Sequence, residues 1–203
     1  MWGDIAIAFL LAFITSFIVT PYTIKLAHKV GAIDVPKDER RVHKKPIPRI
    51  GGLAVIVGFL VSIIYLIITC TIEGKLNLFG PELYAKKLIA IFIGIAILSI
   101  FCFIDDIRGI PAVVKLLGQL LAATVVVLAG INIGTIHIKA FGISINLSQE
   151  IASIITIIWI VGITNAINLI DGLDGLSTGI SIISCVSLLI IFALNGSPLI
   201  AIL

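Results

Sequence analysis

Apolar residues run along this chain in long unbroken blocks, without the strict alternation of a half-buried strand or the one-sided stripe of a surface helix. Blocks of membrane-spanning length occupy about residues 5–23, 51–69, 88–103, 113–131, 151–166 and 176–194. They predict six helices. Asn195-Gly196-Ser197-Pro198 then reads as a turn, and the apolar run from Leu199 to Leu203 reads as the start of a seventh helix in a C-terminally truncated chain. Alternation appears between the fourth and fifth blocks. There Thr135-Ile136-His137-Ile138 and Ile143-Ser144-Ile145-Asn146 flank Gly142 and predict a small hairpin on the bilayer surface. His137 is expected to be a solvated loop residue.

Composition turns this pattern into a fold class. The chain is 60% hydrophobic and 12% charged with a mean hydropathy of +1.25, where soluble domains carry ~25% charged residues. No soluble domain is visible in this sequence, and nucleic acid is not an expected partner. The expectation is an all-α integral membrane protein: a polytopic bundle of about six transmembrane helices plus the start of a seventh, with a small extracytoplasmic β-hairpin. It forms one polytopic membrane domain over residues 1–203. Trp2-Gly3-Asp4 supplies no basic leader, so the first block reads as a retained span. Cys70, Cys102 and Cys185 lack the spacing of a metal or redox pair and read as small apolar residues.

Charge sets the sidedness. Lys25, Lys29, Lys37, Arg40, Arg41, Lys44, Lys45 and Arg49 are eight of the 14 basic residues, and they share the first loop with Asp34, Asp38 and Glu39. The positive-inside bias puts this loop in the cytoplasm and the N-terminus outside. If six spans alternate, the 105–111 and 168–175 loops are cytoplasmic too. The polar patch at 73–87 and the 132–150 connection face outward.

Three polar clusters therefore meet one membrane face, and ionisable groups there are costly to keep unless they are used. The first, Arg40-Arg41-Val42-His43-Lys44-Lys45-Pro46-Ile47-Pro48-Arg49, runs into Gly51-Gly52 and the second helix. Prolines stiffen it, glycines admit a close neighbour, and a helix N-terminus beside Arg and Lys favours phosphate. The bland reading is a topogenic loop touching anionic lipid. The second, Asp105-Asp106, is a pair of like charges that a divalent cation would reconcile, and oxygen donors beside phosphate suit Mg²⁺. Its bland reading is two solvated carboxylates with Arg108 nearby. In the third, Asn165, Asn168, Asp171 and Asp174 recur every third residue as a slowly rotating stripe, interrupted by Gly172 and Gly175. Helix capping explains Asp174 or Ser177, but not Asn168 or Asp171.

Asp34-x-Pro36 with Arg40 to Gly52, then Phe103-Ile104-Asp105-Asp106, then Asn165-Ala166-Ile167-Asn168-Leu169-Ile170-Asp171-Gly172-Leu173-Asp174-Gly175-Leu176 resemble the polyprenyl-phosphate N-acetylhexosamine-1-phosphate transferases in order and spacing. The first motif is more similar to the undecaprenyl-phosphate N-acetylglucosaminyl 1-phosphate transferases of teichoic acid and surface-polymer synthesis than to the muramoyl-pentapeptide enzymes. The resemblance implies transfer of a sugar 1-phosphate from a UDP-N-acetylhexosamine to a polyprenyl phosphate in a bacterial or archaeal cell membrane. UMP is released, and Mg²⁺ is required, with Mn²⁺ left open. It implies catalytic roles for Asp105, Asp106 and Asp171 and metal ligation by Asp171 and Asp106. It implies substrate binding by His43, Lys45, Arg49, Asn168, Gly172, Leu173 and Asp174. A homodimer is left open. The family pattern continues past the sixth span with a Gly-Asp-x-Gly-Ser-type motif, which holds a further metal ligand, and with a basic, His-containing loop. The alternative readings are accordingly a catalytically incomplete membrane fragment or partner subunit, and a cation-coupled transporter.

Overall fold

The computed structural model describes residues 2–35, 46–72, 82–138, 142–173 and 175–194. Within them the apolar blocks form six helices: α1 (Trp2–Val30), α2 (Gly52–Ile72), α3 (Glu82–Arg108), α4 (Ala112–Leu128), α5 (Gln149–Ile170) and α6 (Leu176–Leu194). Four short strands join them: β1 (Ile33–Asp34), β2 (Ile47–Pro48), β3 (Thr135–Ile138) and β4 (Ile143–Asn146). Five of the helices are long and apolar enough to cross a membrane, and α4 is shorter. Its 17 residues span about 26 Å at 1.5 Å each, slightly less than the ~30 Å hydrocarbon core. The chain is an all-α, multi-pass membrane protein, and the expected hairpin is present.

Helix ends depart from the apolar blocks for local reasons. α3 begins at Glu82, ahead of the apolar block, because Ala85, Lys86 and Lys87 are strong helix formers whatever their hydropathy. α4 stops at Leu128, short of residue 131. There Gly130 turns left-handed at φ +85°, its amide bonds to the Val127 carbonyl at 2.9 Å, and Ile131 N–H reaches back to Val126 at 3.4 Å.

The chain divides into two compact units. The first comprises Met1–Gly80, Phe103–Gly109 and Ile182–Leu203. With lipid as solvent, helices gain little from burying leucine and associate where small side chains let backbones approach. Ala8, Ala12 and Ser16 on α1 and Ala54, Gly58 and Ser62 on α2 recur every four residues. Ala8, Ala54 and Ser62 are buried. A Cβ added at Gly58 would collide with Ser16 Oγ and lie 2.5 Å from the Ala12 carbonyl oxygen, so α1 and α2 cross backbone to backbone there. Phe9, Phe13 and Phe17 stack along another stripe of α1 and remain exposed, as suits a lipid-facing side.

The second unit comprises Pro81–Cys102 and Ile110–Ser181. Ala122 and Ala123 on α4 and Ala152 on α5 are its most buried apolar side chains. A Cβ at Gly118 of α4 would come within 2.5 Å of the Phe101 ring, and one at Gly94 within 3.1 Å of Val126 Cγ2, which fixes how closely α3 and α4 pack. β3 and β4 pair antiparallel in the register Thr135↔Asn146, Ile136↔Ile145, His137↔Ser144 and Ile138↔Ile143. Polar pairs thus share one face of the hairpin. Thr135 Oγ1 donates to Asn146 Oδ1 at 3.0 Å, and His137 Nδ1 lies 2.9 Å from Ser144 Oγ.

Candidate functional site

The basic loop springs from a pinned stem. Gly31, left-handed at φ +77°, ends α1, and the Ala32 amide bonds to the Ala27 carbonyl at 3.0 Å. β1 and β2 then pair antiparallel, Ile33 with Pro48 and Asp34 with Ile47, and the Arg49 amide extends the ladder to the Ala32 carbonyl at 3.0 Å. Across the stem Arg49 Nη2 donates to Asp34 Oδ1 at 2.6 Å. Residues 36–45, with His43 and Lys45 among them, lie outside the described residues. What the structure fixes is where that run starts and ends.

The same stem meets the acidic pair. Ala27, Ala32 and Ile50 are buried together, with Leu26, Val30, Phe103 and Ile107 packed against them. Phe103 and Ile107 bracket Asp105 and Asp106 in the last turn of α3, so one apolar plug joins the Arg49 stem to both carboxylates within the first unit. Asp105 and Asp106 are half-buried. The helix ends in an αL cap: Gly109, at φ +66°, donates to the Asp105 carbonyl at 2.8 Å. Two carboxylates in a last helical turn face the negative end of the helix dipole, an arrangement that favours a nearby cation.

At the start of α2, the amides of Leu53 and Ala54 bond to the Ile50 and Gly51 carbonyls at 3.2 and 3.1 Å. An added Cβ at Gly51 or Gly52 would meet nothing within 4 Å, so an anion can come close to the backbone at these two residues.

In the second unit the polar stripe divides into different jobs. Asn168 lies exposed in the last turn of α5, and Asp171 is the C-cap residue, its amide bonded to the Ile167 carbonyl at 3.2 Å. Gly172 and Leu173 continue the exposed turn, and Asp174 lies outside the described residues. Asn165 instead points to α4: its Nδ2 donates to Gln119 Oε1 at 2.6 Å and to the Val161 carbonyl at 2.9 Å. Gln119 Nε2 in turn faces Asn165 Oδ1 at 3.4 Å. Gln119 went unnoticed in the sequence. The available signal was a lone amide inside an otherwise apolar block.

Among the described residues no three His, Cys, Asp or Glu side chains converge on one point. The acids present offer only oxygen donors, which in kind suit a hard divalent cation.

Residues 88–203, more than half of the chain, match the family described as Glycosyl transferase family 4. The chain is 34% identical over 129 residues to a probable undecaprenyl-phosphate N-acetylglucosaminyl 1-phosphate transferase of Bacillus subtilis, covering 63% of this chain and 32% of that protein. It is 30% identical over 153 residues to a decaprenyl-phosphate N-acetylglucosaminephosphotransferase of Mycolicibacterium smegmatis, covering 75% of this chain and 36% of that protein. The protein of the same name from Mycobacterium tuberculosis H37Rv is 32% identical over the same length, again covering 75% and 36%. The chain thus spans about a third of the length of these curated relatives. No solved structure matches it at a significant level.

Proposed function

The chain belongs to glycosyl transferase family 4, and on that footing we propose that it transfers N-acetylhexosamine 1-phosphate, in first place N-acetylglucosamine 1-phosphate, from a UDP-sugar to undecaprenyl phosphate. A phosphate oxygen of the lipid attacks the sugar-bearing phosphorus, the bond to the nucleotide phosphate breaks, and UMP leaves. The setting is the cytoplasmic membrane face, as the first membrane step of cell-envelope polysaccharide synthesis. The observation that carries the reading is the plug that joins Arg49 to the Asp105-Asp106 turn. Two anionic substrates need fixed positive charge for attraction and acids for cation binding, and this end of the first unit supplies both.

Within that reading Arg49, His43 and Lys45 bind phosphate. Asp105 and Asp106 orient the lipid phosphate, while Asn168, Gly172, Leu173 and Asp174 hold the nucleotide end. Asp106 in the first unit and Asp171 in the second each offer carboxylate oxygens to Mg²⁺, which when bound would neutralise the charge gathering on the diphosphate. Asp105 has little call to act as a base, because a phosphate monoester is already largely dianionic near neutral pH. Among the described residues the buried polar side chains are Thr23, Ser62, Gln119 and Thr156. Asp105 and Asp106 lie in the last turn of α3 and Asp171 caps the C-terminal end of α5, at helix ends rather than at mid-helix, which favours an enzyme over a cation-coupled transporter whose site lies near the bilayer midplane.

Metal-dependent release of UMP from UDP-N-acetylglucosamine, in membranes holding the protein and supplied with undecaprenyl phosphate, tests the proposal. Release that requires both lipid phosphate and Mg²⁺ supports it. Absence of release in the full-length protein overturns it.

A further inference from the structure

Helix α5 is held unevenly along its length. Its buried side chains are Ala152 and Thr156, both in its first two turns. There Thr156 Oγ1 accepts from the Ile133 amide at 2.9 Å and donates to the Ala152 carbonyl at 2.6 Å. Asn165 lies about 14 Å further along the axis at 1.5 Å per residue. Beyond it Asn168, Leu169 and Asp171 are all exposed. The paired amides of Gln119 and Asn165 tie this outlying end to α4.

The hydrogen-bond inventory separates these amides from ligands. An Asn side chain has two donor hydrogens, and Asn165 spends both, on Gln119 Oε1 and on the Val161 carbonyl. Although Asn165 opens the polar stripe, it keeps no donor for a substrate. Gln119 is 5% exposed, and its neighbour Gly118 is seated on the Phe101 ring, which sets the rotation of α4 so that Gln119 meets α5. A buried amide that lost its partner would have to find another, so this rotation is strongly preferred.

We infer that Gln119 is a positioning residue: acting through Asn165, it fixes the rotation of the last two turns of α5 and so the directions of Asn168 and Asp171. The inference rests on the phosphotransfer reading of those two residues. A 1 Å misplacement of a reacting group costs about 10²-fold, so a weak tie far from the chemistry can control rate.

The test uses the full-length protein with Cys70, Cys102 and Cys185 replaced by alanine, and nitroxide labels placed at Leu169→Cys or at Ile154→Cys. Gln119→Leu should raise label mobility at 169 and leave it unchanged at 154. The same substitution should lower kcat about tenfold to 10²-fold with a smaller change in KM. The exchanged pair, Gln119→Asn with Asn165→Gln, should restore both. Unchanged mobility at 169, or an equal rise at both labels with a falling Tm, overturns the inference, as does a loosened helix end with unaltered kcat. Should the unsubstituted protein release no UMP, the function proposed above falls and Asn168 and Asp171 lose the role on which this one depends.

Discussion

Arg49 and Asp34, fifteen residues apart in sequence, meet at 2.6 Å and close the base of the basic loop. The pair is partly exposed, and exposed ion pairs contribute ~1 kcal/mol or less to stability. We expect Asp34→Ala to leave thermal stability nearly unchanged and to raise KM for polyprenyl phosphate several-fold. Arg49→Ala should do more damage to turnover, since it would also remove the proposed phosphate contact. The charge-reversed pair, Asp34→Arg with Arg49→Asp, should recover the loop geometry and not the activity. Full activity in that reversed pair would limit Arg49 to a structural role.

Asp106 is predicted to matter for chemistry far beyond its part in folding. In the full-length protein Asp106→Asn should lower turnover by at least ~10²-fold, the scale of losing one electrostatic stabiliser. Asp38→Asn, outside the three motifs, should have little effect. Comparable small effects of the two changes in a UMP-release assay would remove Asp106 from the site.

The crossing of α1 and α2 at Gly58 makes a stability prediction that is independent of function. Gly58→Ala places a methyl group against Ser16 and Ala12 and should cost about 1–3 kcal/mol, the usual penalty of overpacking. Gly162→Ala in α5, where nothing lies within 4 Å, should be neutral or gain up to ~1 kcal/mol from helix propensity. Thermal unfolding in detergent of the two variants side by side decides it.

Sidedness can be read by labelling. If the first loop is cytoplasmic, as proposed, a single cysteine at Lys44 should resist an impermeant thiol reagent in intact cells, and one at Ser144 in β4 should react. Reaction at Lys44 would overturn the proposed orientation.

Much of the fold was legible because each helix is apolar around most of its circumference, so hydropathy alone locates it. What hydropathy could not locate were helix ends. Glu82, Lys86 and Lys87 are charged yet helical, and Gly130 stops α4 inside an apolar run by its backbone conformation. The candidate site was legible as motifs, since Asp105, Asp106 and Asp171 break an oily sequence. Their partners were less so. Asp34 with Arg49, and Gln119 with Asn165, are contacts across 15 and 46 residues that only the folded backbone brings about.

The apolar plug of Ala27, Ala32, Ile50, Phe103 and Ile107 also sets an order of assembly. A membrane protein is synthesised from its N-terminus, and helices insert before they associate. α1 and α2 can pair through Gly58 as soon as both have entered the bilayer, closing the stem that holds Arg49. The plug, however, stays open until the end of α3 emerges from the ribosome. During that interval Ala27, Ala32 and Ile50 form an uncovered apolar patch at the membrane edge, a point at which an insertase or chaperone would have something to hold. The acidic pair then follows, carried by Phe103 and Ile107 onto the Arg49 stem that is already in place.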